Sequence, residues 1–421
     1  MASAEFSVQF GSKAGLKYGT LGFALAFVAL PLYVTLPAHY AAEYGVPLAW
    51  LGAVLLAARL LDALVDPWIG RLCDRLLNGA PGRVMALMAA AAVLLAAGFT
   101  GLFFPLPREL TPLLLWCGGF LLLTYFGFSC LSVMHQAWGA RLGGDGVQQT
   151  RVVAWREGFA LAGVICASLL PAVVGLGGTA VALALGLATG LVLLNLAPRA
   201  AARAVEASPA SLAWKTPGFA RLLAVFLLNG IAAAIPATLL LFFVRDRLQT
   251  PAAEGLYLAT YFIAAALSLP LWLKVVARIG QARAWGTGML LAVLAFGWAA
   301  LLGPGDQVGF VIVCLASGAA LGADLAIPGA MLTRVIQQAG LSGRAEGAFF
   351  GWWNAANKLN LALAAGLALP LLQLLGYAPG QRDAQALQAL TLAYCVLPCL
   401  LKLAAAALLY LFWIRPKELS T

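Results

Sequence analysis

Eight ionisable side chains stand inside or at the edge of long apolar runs: Arg59, Asp62, Asp66, Arg156, Glu157, Asp324, Lys358 and Lys402. An ionised group at mid-bilayer costs about 2.5–3.5 kcal/mol on insertion scales, so each one calls for a reason. Arg59, Asp62 and Asp66 follow one another at i, i+3 and i+7. At about 100° per residue, a helix holds all three within an arc of roughly 60°. Two carboxylates one turn apart repel when both are ionised, and a bound cation or a proton relieves that repulsion. This is the chemistry of a coupling-ion site: oxygen ligands for Na+, or a carboxyl that takes up H+ and releases it on the other side. The competing reading is a static Arg59–Asp62 salt bridge that only ties helices together. Lys358 shares a polar stripe with Asn354 and Asn357 and suits the role of countercharge, unless its stem carries the ammonium to an interface. Arg156 and Glu157 open another run and read equally well as an interfacial ion pair. Lys402 reads as a structural or snorkelling residue.

The elements that must position these groups follow from composition. Of 421 residues, 63% are hydrophobic and 10% charged, against roughly 45–50% and 25% in soluble proteins. That excludes a cytosolic enzyme, a disordered chain and, despite a net charge of +10, a nucleic-acid module. A spanning helix needs about 20 apolar residues, and the alternation of barrel strands is missing. Runs nearly free of charge predict twelve helices near 18–40, 47–70, 84–105, 111–140, 152–173, 178–198, 222–244, 254–276, 285–303, 307–333, 347–373 and 386–414. The expected fold is an all-α membrane protein with a six-helix half over 1–198, a linker over 199–221 and a second half over 222–421. The first span is too long for a cleavable signal and lacks a convincing cleavage site. Spans five and six are separated only by a Gly-rich turn at 174–179.

Basic residues set the expected orientation. With both termini inside, 18 of the 26 Lys and Arg fall on cytoplasmic segments and four on outer loops. The acidic residues split evenly, as expected of a rule about Lys and Arg alone. A bacterial-type inner membrane is the expected location. The seven cysteines lie in or at the edge of spans and form no zinc spacing; small buried hydrophobes are the simpler reading. His39 and His135 form no cluster with each other, and core packing is the expectation for His135. No G-x-x-x-x-G-K-[ST] motif supports an ATP-driven pump, no enzyme activity is indicated, and no cofactor is expected beyond the coupling ion. A monomer is expected, in contact with membrane lipid.

The halves carry a faint repeat. GRLCDRLLNGAPGR (70–83) corresponds to KVVARIGQAR (274–283), and TRVVAWREG (150–158) to GRAEG (343–347). Parallel six-helix repeats with substrate held between them are the plan of the major facilitator superfamily. Gly70, Leu72, Asp74 and Arg75, followed by Gly82 and Arg83, resemble its loop 2–3 signature with several residues inserted. ARLLDALVDPWIG (58–70), TRVVAWR (150–156), GADLAIPGAM (322–331) and EGAFFGWWNAANK (346–358) resemble the glycoside–pentoside–hexuronide:cation symporters, the melibiose-permease-like family. The resemblance implies that Asp62 and Asp66 bind the cation, and that Lys358, with Arg59 and Asn354 beside the site, couples it to substrate. It places Arg156 near the substrate and the cytoplasmic gate. Asp74 and Arg75 read as latch residues bonded to helix ends, and Arg151, Glu157, Asp324 and Arg344 as further gate residues, with Asp324 bonded to a neighbouring loop.

The chain departs from the sugar-carrying members of that family. Carboxylates on their spans one and four grip hydroxyls; here the matching positions hold Ala26 and Met134. The remaining candidates for substrate contact are Arg156, Trp138, Tyr125, Gln136, Asn229, Tyr257, Tyr261, Trp353 and Asn357. The leading expectation is a Na+- or H+-coupled symporter of a small organic solute. One alternative keeps the coupling and carries a lysolipid or other amphipathic lipid. A membrane receptor or scaffold is the third reading, and it leaves three charges on one inner face without a purpose.

Overall fold

The computed structural model describes residues 10–77, 81–199, 209, 211–377 and 380–415. Of the expected linker, 200–208 and 210 lie outside the described residues, as do Arg203 and Lys417, which were counted for orientation. Among the described residues the structure is helical, with no strand. In chain order the helices are α1 (Ser12–Leu30), α2 (Leu36–Tyr44), α3 (Leu48–Leu77), α4 (Pro81–Phe103), α5 (Leu110–Arg141), α6 (Gly146–Asn195) and α7 (Leu212–Lys215). They continue as α8 (Phe219–Phe242), α9 (Glu254–Ile279), α10 (Gln281–Ala299), α11 (Gln307–Gln338), α12 (Glu346–Leu374), α13 (Ala384–Thr391) and α14 (Leu397–Leu409).

A π turn at Pro31–Thr35 joins α1 to α2, and another at Leu392–Val396 joins α13 to α14. The long α6 is two helices merged across Gly175, whose φ of 68° and ψ of −179° are not helical. Only glycine adopts that conformation without strain, so the turn expected at 174–179 falls on a residue suited to it. Counting the rods this way, and leaving aside the four-residue α7, gives twelve among the described residues. Eight stretches are long and apolar enough to cross a membrane. Their outer faces present large apolar side chains, such as Val93, Leu115, Val181, Leu267 and Leu400, to the surroundings. In water such a surface would be strongly unfavourable; in lipid it is the proper solvent contact.

The chain divides into two compact units. Unit one comprises residues 1–216 and 333–355, and unit two 217–332 and 356–421. In unit one, α1 packs on α6 through small residues. A Cβ at Gly22 would come within 2.6 Å of the Arg156 carbonyl oxygen, and one at Gly19 within 2.8 Å of the Trp155 carbonyl oxygen. Backbones that approach this closely gain van der Waals contact, which is what drives helix association in lipid. In unit two, the ring of Phe243 stacks on Tyr394 at 4.2 Å, and Tyr257 meets Phe310 edge-on at 4.7 Å. These aromatics are the centre of its apolar core.

Candidate functional site

Unit one assembles a polar seam between α3 and α5. On α3, Asp62 and Asp66 are buried, at 5% and 0% exposure, and Arg59 is half-buried. On α5, Tyr125, Ser129, Ser132 and Gln136 recur at helical spacing and share a face. The Ser129 hydroxyl donates to Asp62 Oδ1 at 3.0 Å. The Arg59 guanidinium lies 3.6 Å from Asp62 Oδ2 and 5.0 Å from the centre of the Tyr125 ring. Gln136 Nε2 donates to Ser132 Oγ at 2.9 Å and to Asn354 Oδ1 at 3.0 Å. The start of α12 thus closes one end of the seam. Gly351 makes this possible: a Cβ there would come within 2.7 Å of the Asp66 carbonyl oxygen.

The seam brings two carboxylates and a serine hydroxyl together with a guanidinium. Hard oxygen donors of this kind suit a small monovalent cation, and an ionisable carboxylate suits a proton. Among the described residues no group of three or more His, Cys, Asp or Glu could hold a metal ion. Ser129 and Ser132 were not singled out from the sequence. The signal was their i, i+4 and i, i+7 spacing from Tyr125, diluted by many small residues on the same helix.

A second set of contacts closes the end of α3. Asp74 is fully buried and accepts the backbone N–H of Gly347 at 2.7 Å and of Ala348 at 2.8 Å. These are among the first amides of α12, which have no partner inside their own helix. The negative charge also sits favourably at the positive end of the helix. Arg141, the last residue of α5, reaches Asp74 Oδ1 at 3.5 Å and donates from Nε to Glu346 Oε2 at 3.1 Å. Asp74 therefore bonds a helix end as expected, and Arg141 stands between its carboxylate and that of Glu346 and offsets their repulsion. Arg75, Arg151 and Arg344, also expected at the gate, are exposed.

The other expected residues are placed as follows. Arg156 donates from Nε to its neighbour Glu157 at 3.0 Å, and both side chains are largely buried. Trp138 gives its indole N–H to the Pro198 carbonyl at 2.9 Å, and Arg199 lies 6.0 Å over its ring. In the structure it anchors the start of the linker, a use that substrate contact would have to displace. Tyr257 is fully buried in the core of unit two and shares a 2.9 Å hydrogen bond with Thr250. Tyr261 is half-buried, Trp353 and Lys358 are buried, and Asn357 is exposed. His135 is fully buried; its Nε2 bonds the Tyr18 carbonyl at 2.8 Å, while Tyr18 donates to the His135 carbonyl at 3.0 Å. Asp324 is bonded to neighbouring helices, not to a loop: it accepts from Asn229 at 2.9 Å, Trp285 at 2.8 Å and Lys402 at 2.8 Å. Lys402 is 3% exposed and does not snorkel.

Residues 17–415 match the sequence model of the family described as MFS/sugar transport protein. No curated protein sequence matches the chain. Among solved structures, a bacterial homologue of the iron transporter ferroportin in the outward-facing state is similar at TM-score 0.72 and 16% identity, over 95% of this chain and 98% of that one. The human organic anion transporter MFSD10 (TETRAN) is similar at TM-score 0.67 and 16% identity, over 95% and 100% of the two chains. The E. coli fucose:proton symporter FucP gives 0.64 and 15%, over 95% and 98%. At these identities the likeness is one of fold, not of cargo. All-helical architecture, apolar outer faces and the family match make this a multi-pass membrane transporter rather than an enzyme. The chain belongs to the MFS/sugar transport protein family of the major facilitator superfamily.

Proposed function

We propose that the protein is a secondary active symporter that couples Na+ or H+ to a small organic solute by alternating access. The observation that carries this reading is the buried pair Asp62 and Asp66 on one face of α3, with the Ser129 hydroxyl on Asp62. Two buried carboxylates one turn apart repel when both are ionised, so a cation or proton there stabilises the protein and changes its preferred conformation. Arg59, 3.6 Å from Asp62 Oδ2, offsets part of the charge of the pair. The Asp74–Arg141–Glu346 latch supports a gate, because its hydrogen bonds are made in one conformation and must be released in another. Lys358, buried in α12, is the coupling residue implied by the sequence. The basic segments support cytoplasmic termini in a bacterial-type inner membrane, with the protein acting as a monomer.

The test is ion-gradient-driven uptake in proteoliposomes. Asp62→Asn and Asp66→Asn should each abolish accumulation while the protein stays folded in detergent. Coupled uptake that persists unchanged in both variants would remove the basis of the cation site. The departure at Ala26 and Met134 leaves the cargo class open to a thermal-shift panel of glycosides, organic acids and lysolipids, each with and without Na+.

A further inference from the structure

Unit two has its own buried charge cluster, which the symport reading leaves unused. Asp324 of α11 receives three donors from three other helices. Asn229 Nδ2 of α8 and Trp285 Nε1 of α10 meet its Oδ1 at 2.9 and 2.8 Å, and Lys402 Nζ of α14 meets its Oδ2 at 2.8 Å. Lys402 also donates to Asn229 Oδ1 at 2.8 Å. From the carboxylate's side, this is a receptor made of one ammonium, one amide and one indole N–H. Such charge-assisted donors are what a carboxylate or phosphate group seeks.

Two features make the present occupant exchangeable. The Asp324 side chain is 12% exposed against 3% for Lys402, so the carboxylate is the member that faces outward. Pro328 lies four residues further along α11. It has no N–H, so the Asp324 carbonyl lacks its helical donor and the helix is weakened where the carboxylate is attached. The Asn229 carbonyl can hold the ammonium while Asp324 withdraws.

We propose that Asn229, Trp285 and Lys402 form a receptor for the carboxylate or phosphate group of a small anionic solute, with Asp324 as its tethered competitor. The solute anion then takes the place of Asp324 against Lys402 and keeps that ammonium paired, while the Asp324 side chain turns outward. The proposal rests on the transport reading and adds a substrate class to it.

The experiment is titration calorimetry on the full-length protein in detergent, using benzoate, phenyl phosphate and lysophosphatidylglycerol as probes. The expected result is saturable binding of the anion to the native protein. D324N should bind the anion at least about tenfold tighter, because the competing carboxylate is gone. K402M should lose binding, and W285F should weaken it about three- to tenfold. If D324N does not fold, the K402M and W285F results decide the matter. Binding of the lysolipid alone would support the receptor and place the anion on a lipid. No binding of any probe, D324N binding no tighter than native protein, or K402M binding as tightly as native protein would each overturn the proposal. Failure of the cation site would show separately, in ion-driven uptake by the Asp62 and Asp66 variants.

Discussion

Replacing Asp74 by alanine should expose the amides of Gly347 and Ala348 to exchange with solvent. Both lie in the first turn of α12 and have no acceptor within their own helix. Their protection comes from the Asp74 carboxylate, at 2.7 and 2.8 Å. Hydrogen bonds to a charged group contribute about 1.5–3 kcal/mol each, so the two together are worth at most about 3–6 kcal/mol. At 1.4 kcal/mol per tenfold, that is an acceleration of exchange on the order of 10²–10⁴. Hydrogen-exchange mass spectrometry of the protein in nanodiscs reads this directly. Phe349 is the internal control, because its N–H bonds the Ala345 carbonyl rather than Asp74. Asp74→Asn should fall between alanine and native, since its amide keeps one acceptor and loses the charge. Less than about tenfold acceleration at Gly347 and Ala348 would refute the latch geometry. Equal acceleration at Phe349 would point to general opening of α12 and refute the local argument as well.

Gly70→Ala tests the same contact by steric means: a Cβ there would collide with the Gly347 carbonyl oxygen, so α3 and α12 must separate, and the exchange pattern should copy that of Asp74→Ala. Ser129→Ala should shift the cation concentration for half-maximal thermal stabilisation upward by about three- to tenfold, the worth of one hydrogen-bonding oxygen; an unchanged midpoint would exclude Ser129 from the site. Gly175→Ala forces a residue with a Cβ into φ 68° and should destabilise the protein by about 1–3 kcal/mol in thermal unfolding, whereas an unaltered transition would mean that the turn tolerates a side chain. Trp138→Phe removes the indole bond to Pro198 and should speed proteolysis of the linker while leaving solute uptake unchanged; lost uptake with normal proteolysis would return Trp138 to the substrate site.

Much of the architecture was legible because lipid imposes a simple rule. Every spanning backbone must satisfy its own hydrogen bonds, so apolar length alone marks the helices. Against that background, a charge stripe such as Arg59, Asp62 and Asp66 is visible by periodicity, and both carboxylates are buried as that stripe requires. The break at Gly175 was legible for a related reason, since a Gly-rich stretch between two apolar runs is the natural place for a positive φ.

Partners were a different matter. Arg141 is by sequence one more basic residue among those on the expected cytoplasmic side, yet its Nε donates to Glu346, 205 residues away. Lys402 reads in the sequence as a structural or snorkelling lysine, and Asp324 as a gate residue bonded to a neighbouring loop. Their pairing at 2.8 Å joins α11 to α14. Trp138 was a candidate for substrate contact, but its N–H goes to the Pro198 carbonyl, just before the linker. The sequence by itself determined which residues could not face lipid, because that follows from local helical geometry and the cost of burying charge. Only the tertiary structure decided which groups neutralise them, because a donor finds its acceptor through helix packing, and contacts between distant segments leave no periodic trace in the chain.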